Sequence, residues 1–332
     1  MEETTKHPSQ AVLELMMAAW VSQASGTIAR LRLCDHIAQG ADTPGALAER
    51  TKASPDALHR LLRAATMVGI LREVAPKRYA LTPVGELFRS DHPQSMRALV
   101  DAESAPGHWL PWGRLDECVR RGSSVAAEVL GTDVWTYYGK NADEGRAFSE
   151  GMTGLSMAAL GAISEAWQPP AASHVIDVGG AHGAFLDFVL ARLPEARGTL
   201  YDLPRVIDSA KPRPRVTLAS GDFLESVPKG GDLYLLKHIV HDWDDARVSA
   251  ILRNIRAAMA PNAKLVIVEM LIPDDGSPSP AILLDLNMLV MLPGRERTAS
   301  EMTTLLAGAD LVVERVIPTH SPFAVIEART RT

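Results

Sequence analysis

The 332-residue chain is expected to fold as a doubly wound α/β domain with a seven-stranded sheet, preceded by a mainly α-helical, winged-helix domain. Three observations lead there. Between His174 and Asp202 a short β-branched run, a glycine-rich turn, an amphipathic run and a second short strand make one βαβ unit. Strand-like and helix-like stretches then alternate towards the C-terminus. Ahead of them lie two proline-opened helices, a hairpin and a further helix.

Taken in order, the first element is a helix from Gln10 to about Gln23. Its apolar residues Val12, Leu13, Leu15, Met16 and Trp20 must be buried, in the domain's own core or against a second subunit. Thr43-Pro44 opens a helix from Gly45 to Arg50, and Ser54-Pro55 opens another to Val68, each with a capping hydroxyl and a first-turn proline. Leu71–Val74 and Tyr79–Leu81 flank Ala75-Pro76-Lys77 as a hairpin, and Thr82-Pro83 starts another helix. This winged-helix pattern raises a second function class, a DNA-binding regulator. Residues 26–100 hold 11 Lys/Arg against 7 Asp/Glu, a mild excess. The would-be reading helix spends Leu58, Leu61, Leu62 and Ala65 on packing and leaves His59, Arg60 and Arg63 to solvent, so dimerisation is the favoured use.

Trp109, Trp112, Trp135, Tyr137 and Tyr138 then concentrate aromatic surface, as core or as a wall for a flat ligand. Asn141 is expected to cap a long helix running through Phe148, Met152 and Ser156 towards Trp167. Gln168-Pro169-Pro170 ends it, which sets domains at 1–168 and 169–332. Two domains also suit the length, since single cores stop growing near ~250–300 residues.

The second domain opens with strand Val175–Val178, a helix to Arg192 and strand Thr199–Tyr201. Strands follow at Val216–Ala219, Leu233–Leu236, Lys264–Met270, Leu311–Ile317 and Phe323–Ala328, with a helix from about Ala246 to Met259. Another helix, Thr298 to Gly308, carries the capping box Thr298-x-x-Glu301. The last two strands are joined by too few residues for a crossover and must pair antiparallel, which departs from the dinucleotide fold.

A hydrophobic content of 46%, a charged content of 22% and a net charge of −6 describe an ordinary globular protein with no reason to seek nucleic acid or an anionic membrane. The start MEETTKHPSQ has no signal-peptide pattern, and no apolar run approaches the ~20 residues of a bilayer span. Cys34 and Cys118 form no redox or metal motif, so a cytoplasmic location is expected.

The chemistry should sit beyond the carboxyl ends of the strands. Read as G-x-G-x-x-G from Gly179, the later glycines would be Ala181 and Ala184, so the dinucleotide frame fails. The pattern present, Asp177-x-Gly179-Gly180-x-x-Gly183, puts a carboxylate on the strand that suits an ammonium and repels a pyrophosphate. Asp202 would accept both ribose hydroxyls of an adenosine cofactor; a glycine turn without ligand is the alternative. Asp222-Phe223, Lys237-His238 and Glu269 mark further strand ends. In LLKHIVHDWDD, Asp244 and Asp245 read as helix caps, and no second histidine or spaced carboxylate completes a metal site. His241 remains as a base placed for group transfer to a hydroxyl.

Taken together, DVGGAHG, YDLPRVI, GDF, LLKHIVHDWDD, VIVEM, LLDLNML and GRERT resemble, in order and spacing, the S-adenosylmethionine-dependent O-methyltransferases of the caffeate and isoflavone type, including bacterial enzymes that tailor aromatic antibiotics. The resemblance covers nearly the whole chain. It implies a class I methyltransferase fold and a small hydroxylated aromatic acceptor; the apolar area of the N-terminal half predicts a homodimer, and no metal is expected. By matched position, Gly179, Asp202, Asp222, Phe223, Lys237 and Ser156 would hold S-adenosyl-L-methionine. His241 would be the base, flanked by Glu269 and Glu296. Phe148, Met152, Asp242 and Met288 would touch the acceptor, with Asn287 as a further polar contact. Ala181 stands where a third glycine is usual, and MLPGRERT is one residue shorter than the usual form. Methylation of nitrogen or carbon, or loss of methylation, are the alternatives within the family.

Overall fold

A computed structural model describes residues 7–331; the segment MEETTK, on which most of the leader reading rests, lies outside the described residues. Two units form. One holds the residues up to Gly113 with Thr132–Leu155, the other Arg114–Gly131 with the residues from Ser156 on. The division therefore falls inside the helix Ala142–Ala166 and not at Gln168, where the prolines merely end that helix.

In the first unit the N-terminal helix runs Pro8–Arg30, longer than its apolar pattern suggested. Its C-terminal part buries Gly26, Ile28 and Ala29, whereas Val12, Leu13, Leu15, Met16 and Trp20 are each more than half exposed. The winged-helix elements follow: Pro44–Thr51 and Pro55–Met67, capped by the Thr43 and Ser54 hydroxyls, then the antiparallel hairpin Leu71–Ala75/Arg78–Leu81 and the single turn Pro83–Glu86. Leu33, Leu47, Leu58, Leu62, Ile70, Leu71 and Tyr79 make the core. His59 departs from its reading as a solvent-facing residue: it is half-buried, with Nδ1 3.1 Å from the Tyr79 hydroxyl, while Arg60 and Arg63 stay exposed. After the short helix Arg97–Ser104, the short helices Pro106–Trp112 and Val134–Lys140 carry the aromatic stretch. Asn141 closes the last of these, its Nδ2 donating to Tyr137 O at 2.9 Å.

The second unit is built on a sheet whose strands are β1 (His174–Val178), β2 (Arg197–Asp202), β3 (Val216–Ser220), β4 (Leu233–Lys237), β5 (Lys264–Ile272), β6 (Leu311–Pro318) and β7 (Phe323–Thr330). They lie in the order β3-β2-β1-β4-β5-β7-β6, parallel except for β7, which is antiparallel to both neighbours. The β-branched and leucine runs of β1, β4 and β5 are buried on both faces, which is why they show no alternation in sequence. Fully burying each such side chain contributes roughly 1.5–3 kcal/mol. The strand order reverses between β1 and β4, the switch point where such sheets bind ligands. A two-residue strand, Arg297–Thr298, extends β5 by pairing with Leu271 and Ile272. It is too short to leave a periodic signal.

Candidate active site

Two turns leave the sheet at the switch point, one after β1 and one after β4. The turn after β1 holds three left-handed residues, Gly179 (φ +70°), Ala181 (+49°) and Gly183 (+80°). Gly179 and Gly180 N–H both donate to Tyr201 O on β2. A Cβ on Gly179 would stand 2.5 Å from Ile239 Cδ1, and one on Gly180 would stand 2.5 Å from Asp177 Oδ2. Internal packing thus favours glycine at both places, as does the left-handed backbone at Gly179, beside any use of these glycines in letting a ligand approach. The methyl of Ala181 is exposed but sits in a backbone conformation costing a non-glycine residue roughly 1–2 kcal/mol.

Asp177 also departs from its reading. Its carboxyl is 1% exposed, beneath Gly180, and Oδ2 carries no hydrogen bond. Burial pushes it up to about 7, although nearby Lys237 opposes the shift. A group so enclosed cannot meet an ammonium directly; it sits beneath the turn. Asp202 is the accessible carboxylate, half-buried, with Oδ2 accepting Ala181 N–H at 2.9 Å and Oδ1 accepting Leu203 N–H at 2.7 Å. Each oxygen has a second lone pair. Asp222 at the end of β3 accepts Leu224 N–H at 2.8 Å, and Phe223 meets Trp243 edge-on at 5.9 Å. At the end of β4, Lys237 Nζ donates to Ser156 Oγ at 2.8 Å, and burial lowers its proton affinity against Asp177 and Glu269.

The turn after β4 begins with left-handed His238 (φ +56°) and holds His241 in one 3-10 turn, Val240–Asp242. His241 Nδ1–H donates to Glu296 Oε1 at 2.7 Å, leaving Nε2 as the other ring nitrogen, 3.5 Å from Asp242 Oδ1. Glu269 is fixed by the turn itself: Oε1 accepts Ile239 N–H at 3.1 Å and Val240 N–H at 2.8 Å, while buried Oε2 has no partner. Burial opposes charge on His241, but Glu269, Asp242 and Glu296 outweigh it and raise the imidazole to about 10. Burial likewise pushes the Glu269 and Glu296 carboxyls up, with His241 opposing. His238 is held well below the usual range by burial and by its cationic neighbours His241 and Lys237. Its ring meets those of His241 and Phe323, each at 4.9 Å. One donor atom each from His241, Glu269 and Glu296 lie within 4.8 Å of one another; His241 Nδ1, Glu296 Oε1 and Glu269 Oε1 are engaged with each other or with peptide N–H groups.

The remaining sequence candidates divide between the units. Met288 (6% exposed) and half-buried Asn287 lie on the helix Pro280–Met291 of the second unit. Phe148 and Met152 belong to the first, where Phe148 stacks on Tyr138 at 4.8 Å and meets Trp135 edge-on at 6.0 Å. Sequence reading passed over Asp285, whose Oδ1 accepts Glu296 N–H at 2.9 Å, and Arg297. Both stand inside quoted motifs, LLDLNML and GRERT, and that was their only signal.

A mainly parallel sheet with this order and one inserted antiparallel strand is the class I methyltransferase-like fold. Residues 112–311 match the O-methyltransferase domain and residues 13–91 the O-methyltransferase dimerisation domain. A phenazine O-methyltransferase, PhzM, from Lysobacter antibioticus is 35% identical, covering 97% of this chain and 96% of its own. An 8-amino-8-demethylriboflavin N,N-dimethyltransferase from Streptomyces davaonensis is 32% identical, covering 98% of each. The solved structure of NcsB1, an O-methyltransferase from neocarzinostatin biosynthesis, in complex with S-adenosylmethionine and 2-hydroxy-5-methyl naphthoic acid, is 29% identical with a TM-score of 0.79, covering 93% of this chain and 95% of its own. The chain belongs to the S-adenosylmethionine-dependent O-methyltransferase family, and its cofactor is S-adenosyl-L-methionine.

Proposed function

We propose that this enzyme methylates a hydroxyl oxygen of a small aromatic natural product, of the kind found in bacterial antibiotic pathways, with His241 as the base. The observation that carries the reading is the buried pairing of His241 Nδ1 with Glu296, beside a Glu269 held by two peptide N–H groups. A phenol ionises near ~10. The neutral form of the imidazole, left when His241 gives a proton to solvent, takes the phenol's proton on Nε2, and the surrounding carboxyls stabilise the imidazolium beside the phenolate that forms. With His241 raised to about 10, that neutral form is a minor one at neutral pH and grows as pH rises. A carboxylate pair has this use for an oxygen acceptor; a neutral amine needs no proton removed before attack. That argument favours oxygen over nitrogen, although a relative's name records N,N-dimethylation.

Asp202 would hold the cofactor's ribose; Gly179, Asp222, Phe223, Lys237 and Ser156 would complete its site. The donor set fits, with an accessible carboxylate at one strand end and a second carboxylate, an aromatic ring and an ammonium at the neighbouring ones. When bound, the cofactor supplies an activated methyl on a sulfonium, so the protein's tasks are alignment and handling of the acceptor's proton. Within the second unit, Met288 would grip a ring by its face or edge, with Asp242 and Asn287 fixing its orientation.

The exposed apolar face of the helix Pro8–Arg30 supports a homodimer, since a contiguous patch of this kind needs a partner. Light scattering at micromolar concentration should give twice the chain mass; a monomer would contradict this. Buried free thiols at Cys34 and Cys118 suit a reducing cytoplasm. No helix among the described residues is long and apolar enough to cross a membrane. The test of the reaction is a screen of hydroxylated aromatics with methyl-labelled cofactor. O-methyl ethers support the reading. Transfer to nitrogen or carbon alone, or to nothing, overturns it.

A further inference from the structure

We propose that Arg297 is the positioning residue that sets the His241–Glu296 pair; this rests on the reading of His241 as the base. Its guanidinium has five N–H groups and makes five bonds. Nη1 donates to Val240 O (3.1 Å) and Arg295 O (3.2 Å), Nη2 to Trp243 O (2.8 Å) and Asp245 Oδ1 (2.7 Å), and Nε to Asp245 Oδ1 (3.0 Å). The carbonyls of Val240 and Trp243 bracket His241 in the chain, so one planar fork grips both sides of the catalytic turn.

Arg297 directly follows Glu296, so the residue that grips the turn and the residue that bonds the imidazole are consecutive. The strand they start is pinned to β5 two residues beyond Glu269, through Leu271↔Arg297. Asp285 holds Glu296 N–H at 2.9 Å from another side. Gly294 closes the clamp: a Cβ there would stand 1.9 Å from His241 O. The stretch Gly294–Arg297 thus fits against the His241 turn by its backbone, a carboxylate and a guanidinium. Stability alone does not ask for this. Arg297 is 2% exposed and its one charged partner, Asp245, is 57% exposed, whereas an apolar side chain of similar volume is often neutral or better in such a place.

Lysine replaces the fork with a point charge that cannot reach both carbonyls and Asp245. The test is Arg297→Lys, with Asp245→Asn as a second variant, because Asp245 is exposed and its loss frees the fork without emptying the interior. Calorimetry with S-adenosyl-L-methionine should give unchanged affinity in both. In protein labelled with 15N-histidine, His241 (assigned with His241→Gln) should lose proton affinity, and its Nδ1 signal should lose the character of a carboxylate bond. The other titratable groups beside His241, namely Glu269, Asp242 and His238, are unaltered in both variants. With an aromatic hydroxyl acceptor from the screen, kcat should fall on the order of 10²-fold in Arg297→Lys and less in Asp245→Asn, as misplacement by about 1 Å does. The acceptor's KM should stay unchanged, and no further loss should appear when Arg297→Lys is added to His241→Gln. An unchanged His241 titration in both variants overturns the proposal. Full activity of His241→Gln would instead remove the base reading, and the titration still decides what Arg297 holds.

Discussion

The turns after β1 and β4 stand side by side at the same sheet switch point, and they are built in opposite ways. The first is local. Its shape comes from three left-handed residues within five positions, Tyr201 O, and one carboxylate from the next strand. The second is assembled from a distance. Its shape comes from Glu269 on β5, and from Glu296 and Arg297 beyond a whole further helix. The first presents backbone and one accessible carboxylate, which suits holding a cofactor by shape. The second surrounds one imidazole with buried carboxyls, which suits tuning a proton. On the proposed roles, binding and proton handling belong to different turns, and substitutions should separate them.

The largest separation is expected at Asp202. Two charge-assisted hydrogen bonds to a ribose, each worth roughly 1.5–3 kcal/mol, make Asp202→Ala lose on the order of 10²–10⁴-fold in cofactor affinity by calorimetry. Unchanged affinity would remove the first turn from the cofactor site. At the second turn, Glu269→Gln keeps an oxygen for the Ile239 and Val240 N–H groups but removes the charge that raises His241 most. Activity at neutral pH should fall roughly 10- to 100-fold with cofactor affinity intact. A matching loss of affinity would mean the two turns are not separable.

The smallest effect tests how far the first turn is strained. Ala181→Gly relieves a left-handed alanine but adds freedom to the unfolded chain, so the net gain should be at most about 1 kcal/mol. Thermal unfolding would register that as a slightly higher midpoint. A clear drop would show that the exposed methyl contributes packing after all.

How much of this was legible follows the same division. The strands of the second unit, its antiparallel end and the capping box at Thr298 stand in the sequence because each rests on local pattern. The helices between Arg97 and Lys140 escaped because none runs longer than eight residues. The carboxylate at Asp202 was readable from the end of a strand, whereas burial of Asp177 beneath Gly180 was not, since one-dimensional spacing does not reveal which carboxylate is covered. Glu269 was readable as a strand end, but its role beside His241, like Glu296 itself, came only with the family resemblance. Nothing near either residue in the chain marks it as a partner of His241, and GRERT being one residue short gave no measure of where Glu296 would fall. Arg297 was invisible as a strut for the same reason, although its motif was in plain view.

The central claim, that His241 removes the acceptor's proton, is tested most directly by kcat/KM of the wild-type enzyme and of His241→Gln across pH 6–10. The acceptor is the aromatic hydroxyl found by the screen, and cofactor affinity is measured alongside. Because the carboxylates raise His241 to about 10, the imidazole is protonated through the neutral range, and its neutral, proton-accepting fraction grows about tenfold per pH unit towards that value. The variant must wait for the phenol to ionise in solution. The account predicts unchanged cofactor affinity, a wild-type kcat/KM that rises with pH towards about 10, and a variant deficit of about 10²–10⁴-fold at pH 7. Equal activity at pH 7, or a wild-type profile that stays flat across the range, would contradict it.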